Sequence, residues 1–177
     1  NLVYSMGVTN TEVFAHQYKP LLTLLESPAD GLLIADEVGL GKTIEAGIIW
    51  TELRAREDMR RLLVVCPAML REKWRDELKL RFGIDATIVK AASLADELKH
   101  SSSVGPSKAW IASYQALRPP KTWRPGAEAT GKRPSSRTVL ANLLDENSSE
   151  DPLVDLVVFD EAHYMRNPES AAHTLGE

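Results

Sequence analysis

Between Gly31 and Thr43 the sequence runs Gly-Leu-Leu-Ile-Ala-Asp-Glu-Val-Gly-Leu-Gly-Lys-Thr, an apolar segment that passes into a glycine-containing turn and then into a helix-forming stretch. A strand that enters a glycine turn opening a helix is the context a phosphate-binding loop requires. Gly39 and Gly41 let the backbone turn its N–H groups inward without a Cβ clash, and the helix beginning near Lys42 adds its N-terminal partial charge. Gly39, Leu40 and Gly41 are therefore candidates for a main-chain anion cradle. Lys42 is placed to reach the β- and γ-phosphates of a nucleotide, and the Thr43 hydroxyl to ligate magnesium. The general pattern asks for glycine six residues before Lys42, where this chain has Asp36. The alternative is a chance Gly-Lys-Thr turn, which the flanking strand and helix patterns disfavour.

Around this segment short apolar runs alternate with longer amphipathic ones, the pattern of an α/β fold with a mainly parallel sheet flanked by helices. Val13–Leu25 reads as a helix, with Asn10 or Thr11 as its cap, and Leu32–Ala35 as a buried strand. Gly41–Arg56 reads as a helix, Leu62–Cys66 as a strand and Met69–Arg81 as a helix. Thr87–Val89 and Trp110–Ala112 look like further short strands. Leu153–Phe159 suits a strand buried on both faces. At 177 residues, 44% of them hydrophobic, the chain has the length for one core, and residues 1–177 read as a single lobe. Residues 118–151 read as a loop insertion, because prolines and glycines break periodicity from Arg118 to Arg137 and an acidic, serine-containing stretch runs from Asp145 to Asp151, with a helical pattern just before it. The basic residues of the first part, Arg118, Lys121, Arg124, Lys132, Arg133 and Arg137, read as a solvated loop, with added affinity for a polyanion as the alternative.

Net charge is −4. A chain so charged offers no global positive field for nucleic acid, so any such binding must come from local patches. Cys66 is the only cysteine. No internal disulfide framework is possible, and a reducing, cytoplasmic setting fits. No apolar stretch approaches the roughly 20 residues of a membrane span.

A second chemical signal is Leu156-Val-Val-Phe-Asp-Glu-Ala-His163. Carboxylates at the C-terminal end of a buried strand sit in the crevice where α/β sheets bind ligands. There Asp160 is suited to hold magnesium, directly or through water, and Glu161 to orient and deprotonate an attacking water. The competing explanation is a capped helix start, since Asp and Glu favour that position.

Together these motifs resemble the Swi/Snf family within helicase superfamily two, in the spelling of bacterial members. The resemblance extends from about Phe14 to Asn167. In that family Asp-Glu commonly precedes the loop glycines, so Asp36 departs from the general pattern but not from this one. Val64-Val-Cys-Pro-Ala-Met-Leu-Arg-Glu-Lys-Trp74 and Ile111-Ala-Ser-Tyr-Gln-Ala-Leu117 resemble the next two motifs, and Asp160-Glu-Ala-His-Tyr-Met-Arg-Asn167 resembles the acidic (DEAH-type) box.

The resemblance implies a RecA-like lobe that binds Mg²⁺ and ATP, with Gln17 reading adenine and His163 coupling ATP chemistry to the nucleic-acid side. For both residues a purely local role is the alternative. It also implies that Lys73, Ser113 and Tyr114 touch a nucleic-acid backbone, with core packing as the alternative for Tyr114. Full-length members use a second RecA-like lobe in cis, and the chain stops before the segment that follows. In isolation it is thus expected to be nearly inactive. Double-stranded DNA is the expected partner, with RNA polymerase or a defence complex among the possible associates. Two competing functions are an RNA helicase or remodelling lobe, and a module that senses nucleotide, or scaffolds proteins, without hydrolysis.

Overall fold

The computed structural model describes residues 14–29, 31–34, 41–100, 105–126, 133–146 and 152–165. They belong to two compact units, one drawn from Asn1–Met59 and Lys73–Asp85, the other from Arg60–Glu72 and Ala86–Glu177.

In the first unit a 3-10 turn, Ala15–Tyr18, leads into helix α1 (Lys19–Glu26). Pro20 lies in the first turn of α1, where a missing N–H costs least. The helix expected over Val13–Leu25 is thus a tight turn followed by a shorter helix; its expected caps, Asn10 and Thr11, and its first residue, Val13, lie outside the described residues. Helix α2 (Lys42–Glu57) is buried almost continuously from Glu45 to Leu53. Its fully buried Glu52 accepts a hydrogen bond from Arg56 Nε at 2.6 Å, one turn on. That pairing is what makes a buried carboxylate tolerable. Helix α3 (Arg71–Phe82) sends Phe82 against α2 at Gly47, where an added Cβ would meet the ring at 2.2 Å.

One expectation fails in this unit. Leu32–Ile34 is not a buried strand: these residues carry no strand geometry and Leu33 is 77% exposed. An apolar run satisfies the strand pattern, but a strand exists only where a neighbour completes its ladder.

The second unit is built on a four-stranded parallel sheet of order β2-β3-β1-β4, formed by β1 (Arg61–Cys66), β2 (Ala86–Ile88), β3 (Lys108–Ser113) and β4 (Leu156–Phe159). Strand β1 is buried along its whole length, as a central parallel strand requires. Leu63, Val65, Trp110 and Ala112 project from one sheet face into a core completed by helix α4 (Ala91–His100), the short helix α5 (Tyr114–Leu117) and helix α6 (Ser136–Glu146). Helix α4 buries Ala91, Leu94, Ala95 and Leu98, one stripe at helical spacing.

The helical pattern read just before Asp145 is α6, which sends Leu140, 1% exposed, into the core. One further expectation is corrected here. Strand β4 is shorter than the apolar run suggested and is not buried on both faces, since it borders the described sheet and Val157 is 39% exposed.

At the amino end of the sheet, Asp155 ties β4 to β1. Its carboxylate accepts from the Arg60 and Arg61 backbone N–H groups at 2.8 and 2.7 Å and from Arg61 Nη2 at 2.8 Å. Burial alone would raise the Asp155 pKa, but the Arg61 guanidinium and the two amides hold it below the usual carboxylate range. A depressed folded-state pKa contributes stability above the unfolded value of about 4 and loses it as pH falls through the folded value.

Stability is therefore expected to fall with pH below about 4, and Asp155→Asn to flatten that dependence in denaturant titrations. Asp155→Ala, which strands the buried Arg61, is expected to cost about 3 kcal/mol at neutral pH. In the first unit, Gly47→Ala is expected to cost about 1–3 kcal/mol by overpacking, with part recovered in Gly47→Ala/Phe82→Leu; a double-mutant cycle showing no coupling would contradict that contact.

Candidate functional site

In the first unit the candidate residues gather where α2 begins. Gly41 is the N-cap, in the left-handed region at φ 95°, ψ 33°, and no side chain caps the helix. Its carbonyl accepts from Ile44 and Glu45 N–H at 2.7 and 3.1 Å, so a regular helix starts at once and points its first N–H groups outward. Lys42 and Thr43 are the first two helical residues, both half-buried. Gln17 lies against this start: a Cβ on Gly41 would come within 2.5 Å of Gln17 Nε2. The Gln17 side chain is buried, and its Oε1 accepts from the Phe14 N–H at 3.0 Å, which fixes the amide plane. A positive-φ glycine, an uncapped 16-residue helix, a lysine and a hydroxyl fit a nucleotide's phosphates and their magnesium. Gly39 and Leu40, the other cradle candidates, lie outside the described residues, as does Asp36.

In the second unit the sheet's carboxyl edge collects the rest. Register pairs Cys66 at the end of β1 with Ser113 at the end of β3, and Val65 with Phe159 of β4. The Asp160 N–H continues that ladder by donating to the Val65 carbonyl at 2.9 Å. Asp160 thus stands level with Cys66. Glu161 follows with φ 56°, a left-handed conformation rare for a residue with a Cβ and costing on the order of 1 kcal/mol. The chain turns sharply there into a 3-10 segment, Ala162–Met165. The Glu161 carboxylate lies 3.1 Å from His163 Nδ1, both side chains about half exposed. The acidic pair is accordingly the link between the end of β4 and the start of that 3-10 segment.

Tyr114 and Ser113 are buried at the end of β3, 1% and 4% exposed. The Ser113 hydroxyl caps α5 by accepting from the Ala116 N–H at 3.2 Å, and the Tyr114 hydroxyl donates to the Asp160 carbonyl at 2.9 Å. The Tyr114 ring also stacks on Phe159, centroids 6.4 Å apart. Burial above all, then the Asp160, Cys66 and Glu161 charges, raises the Tyr114 pKa, which keeps its hydroxyl a proton donor. Burial, reinforced by Asp160 and opposed by Arg71, likewise pushes the Cys66 thiol up to about 12. Lys73 is exposed on α3. Sequence reasoning missed the Tyr114–Asp160 contact and the Arg71 charge beside Cys66. No local signal announces a hydrogen bond between residues 46 positions apart.

Among the described residues no helix is long and apolar enough to cross a membrane. The SNF2-related domain family model matches residues 16–175. Among curated proteins the chain is similar to the RNA polymerase-associated protein RapA of Stutzerimonas stutzeri (strain A1501), 28% identical over 171 residues, 96% of this chain and 16% of that protein. It is likewise similar to RapA of Pseudomonas putida (strain GB-1), 27% identical over 176 residues, 97% of the chain and 16% of the relative. RapA of Pseudomonas fluorescens (strain SBW25) is 26% identical over 182 residues, 99% of the chain and again 16% of the relative. The chain therefore spans about a sixth of the length of these relatives. With the match running from His16 nearly to the last residue, over a parallel α/β sheet that carries its acidic box at the carboxyl edge, this chain belongs to the SNF2-related domain family, as an N-terminal RecA-like lobe of bacterial Swi/Snf type in helicase superfamily two.

Proposed function

We propose that this chain is the ATP-binding lobe of a cytoplasmic motor that hydrolyses ATP and moves along double-stranded DNA. The observation that carries the reading is the Asp160–Glu161 turn at the carboxyl edge of the sheet, where the Asp160 N–H donates to the Val65 carbonyl and the Asp160 carbonyl accepts from the Tyr114 hydroxyl. These bonds fix the backbone that carries the two carboxylates at the strand end where an α/β sheet binds its ligand.

In this reading the amides at Gly39, Leu40 and Gly41 cradle phosphate, Lys42 neutralises its charge, and Gln17 orients the adenine. Thr43 and Asp160 are the hydroxyl and the carboxylate that would ligate Mg²⁺, which would polarise the phosphoryl oxygens when bound. Glu161 accepts the proton of the attacking water. His163, in contact with Glu161, couples that step to the nucleic-acid side, and exposed Lys73 takes part in backbone contact. A second RecA-like lobe in the full-length protein supplies the arginine that such phosphoryl transfer uses, worth on the order of 10³ or more in rate. Similarity to proteins named as RNA polymerase-associated favours RNA polymerase over a defence complex as the assembly served.

ATP turnover by the full-length protein is expected to rise mainly with double-stranded DNA, and to be abolished by Lys42→Ala or Glu161→Gln with the fold intact. Stimulation by RNA or single strands would favour an RNA-remodelling enzyme, and no turnover with any nucleic acid a nucleotide sensor. The isolated chain is expected to turn over far below about 1 per second. Gly41→Ala, which forces a Cβ into a left-handed position against Gln17, is expected to weaken nucleotide binding in equilibrium titrations by on the order of tenfold.

A further inference from the structure

Charge is distributed very unevenly along the chain. Of its 21 basic residues six fall between Arg118 and Arg137, and of its 25 acidic residues one does, which puts +5 on those 20 positions and −9 on the remainder. The structure shows that the described part of this stretch is held in place. After α5 the chain makes a tight turn, with Trp123 N–H donating to the Pro120 carbonyl at 2.9 Å. Arg124 Nη1 braces the turn from outside through the Lys121 and Trp123 carbonyls, at 2.9 and 2.7 Å. Two contacts then fasten it along α6. Trp123 Nε1 donates to Asn142 Oδ1 at 2.7 Å, and the Gly126 N–H donates to Asp145 Oδ2 at 2.9 Å. Arg133 precedes α6 and Arg137 lies in its first turn, about 12 Å along the axis from Asp145.

Exposed cations without an ion pair also occur elsewhere among the described residues, Lys73, Lys90 and Lys99 among them; what distinguishes this stretch is that its cations are concentrated. Arg56, Arg61, Lys79 and Lys108 each pair with a carboxylate. Among the described residues Lys121, Arg124, Arg133 and Arg137 pair with none, and all four are exposed. Six carboxylates elsewhere, Glu52, Asp76, Glu77, Asp85, Glu97 and Asp155, pair with Lys or Arg, whereas here Asp145 accepts from a backbone amide. The patch also lacks the apolar residues a membrane surface would take up: Trp123 is half-buried with its indole N–H already bonded.

We propose that Lys121, Arg124, Arg133 and Arg137 form a sequence-independent binding surface for the phosphate backbone of duplex DNA. Unpaired cations that replace the counterions condensed on the phosphates are the elementary requirement of such binding, and clamping the turn on α6 lowers the ordering cost. The surface lies directly beyond α5 in the chain, so it deepens the motor reading, but its binding needs no nucleotide and is measured separately from hydrolysis.

The test is anisotropy of a labelled 30-base-pair duplex titrated with the full-length protein without nucleotide, across about 50–200 mM NaCl. Lys121→Ala/Arg124→Ala/Arg137→Ala is expected to weaken binding equally for two unrelated sequences, by on the order of tenfold or more, and to reduce the salt slope by about 2.7. Lys121→Arg/Arg124→Lys/Arg137→Lys, which keeps the charge, is expected to retain the slope. An unchanged slope and affinity in the alanine variant would overturn the proposal. So would a loss confined to single-stranded RNA, to a polyglutamate probe or to phosphatidylserine vesicles. Because ATP turnover is not the readout, duplex binding lost in the alanine variant while hydrolysis without DNA is kept, or duplex binding kept in a protein that does not hydrolyse ATP, separates this surface from the motor reading.

Discussion

The parallel register of β1 with β3 and β4 is the constraint on which the second unit depends. Parallel strands end on the same edge, so Cys66, Ser113 and Phe159 finish level with one another and the residues that follow them are delivered to one place. Asp160 occupies its position because the ladder runs one step past β4. The Asp155 carboxylate secures the opposite end of the same pair of strands. Sliding β4 by one residue would break both attachments and exchange which side chains face the core.

The Tyr114 hydroxyl gives this edge its rigidity. A buried phenol that keeps its proton is a dependable donor, here to the Asp160 carbonyl. The contact also connects the segment after β3, which resembles a nucleic-acid motif, to the acidic box. Its effect is positional: the tyrosine hydroxyl holds the backbone of Asp160.

Local geometry at the start of α2 has a different origin. There Gly41 adopts a backbone conformation that L side chains rarely hold, and its missing Cβ makes room for the Gln17 amide. The glycine thus serves both the helix start and the approach of a side chain 24 positions away. The left-handed Glu161, by contrast, has a Cβ and is held in place by the turn after β4. Strain of that size persists where surrounding contacts over-determine it.

Much of this was legible in the chain's own letters. Alternating apolar runs announced a parallel α/β sheet, and the order glycine, lysine, threonine after an apolar run located the start of α2 to within a residue. Such features are local: a helix start, a glycine turn and an acidic pair after a strand are written within a dozen positions. What only the tertiary structure decided involves distant partners. Leu32–Ile34 has a strand's composition without a strand's geometry, β4 is half exposed, Tyr114 is consumed by Asp160, and the turn after α5 is fastened to α6. Composition prescribes what a segment tolerates, whereas ladder partners and long-range hydrogen bonds select among the tolerated states, and those depend on which surfaces the folded chain brings together.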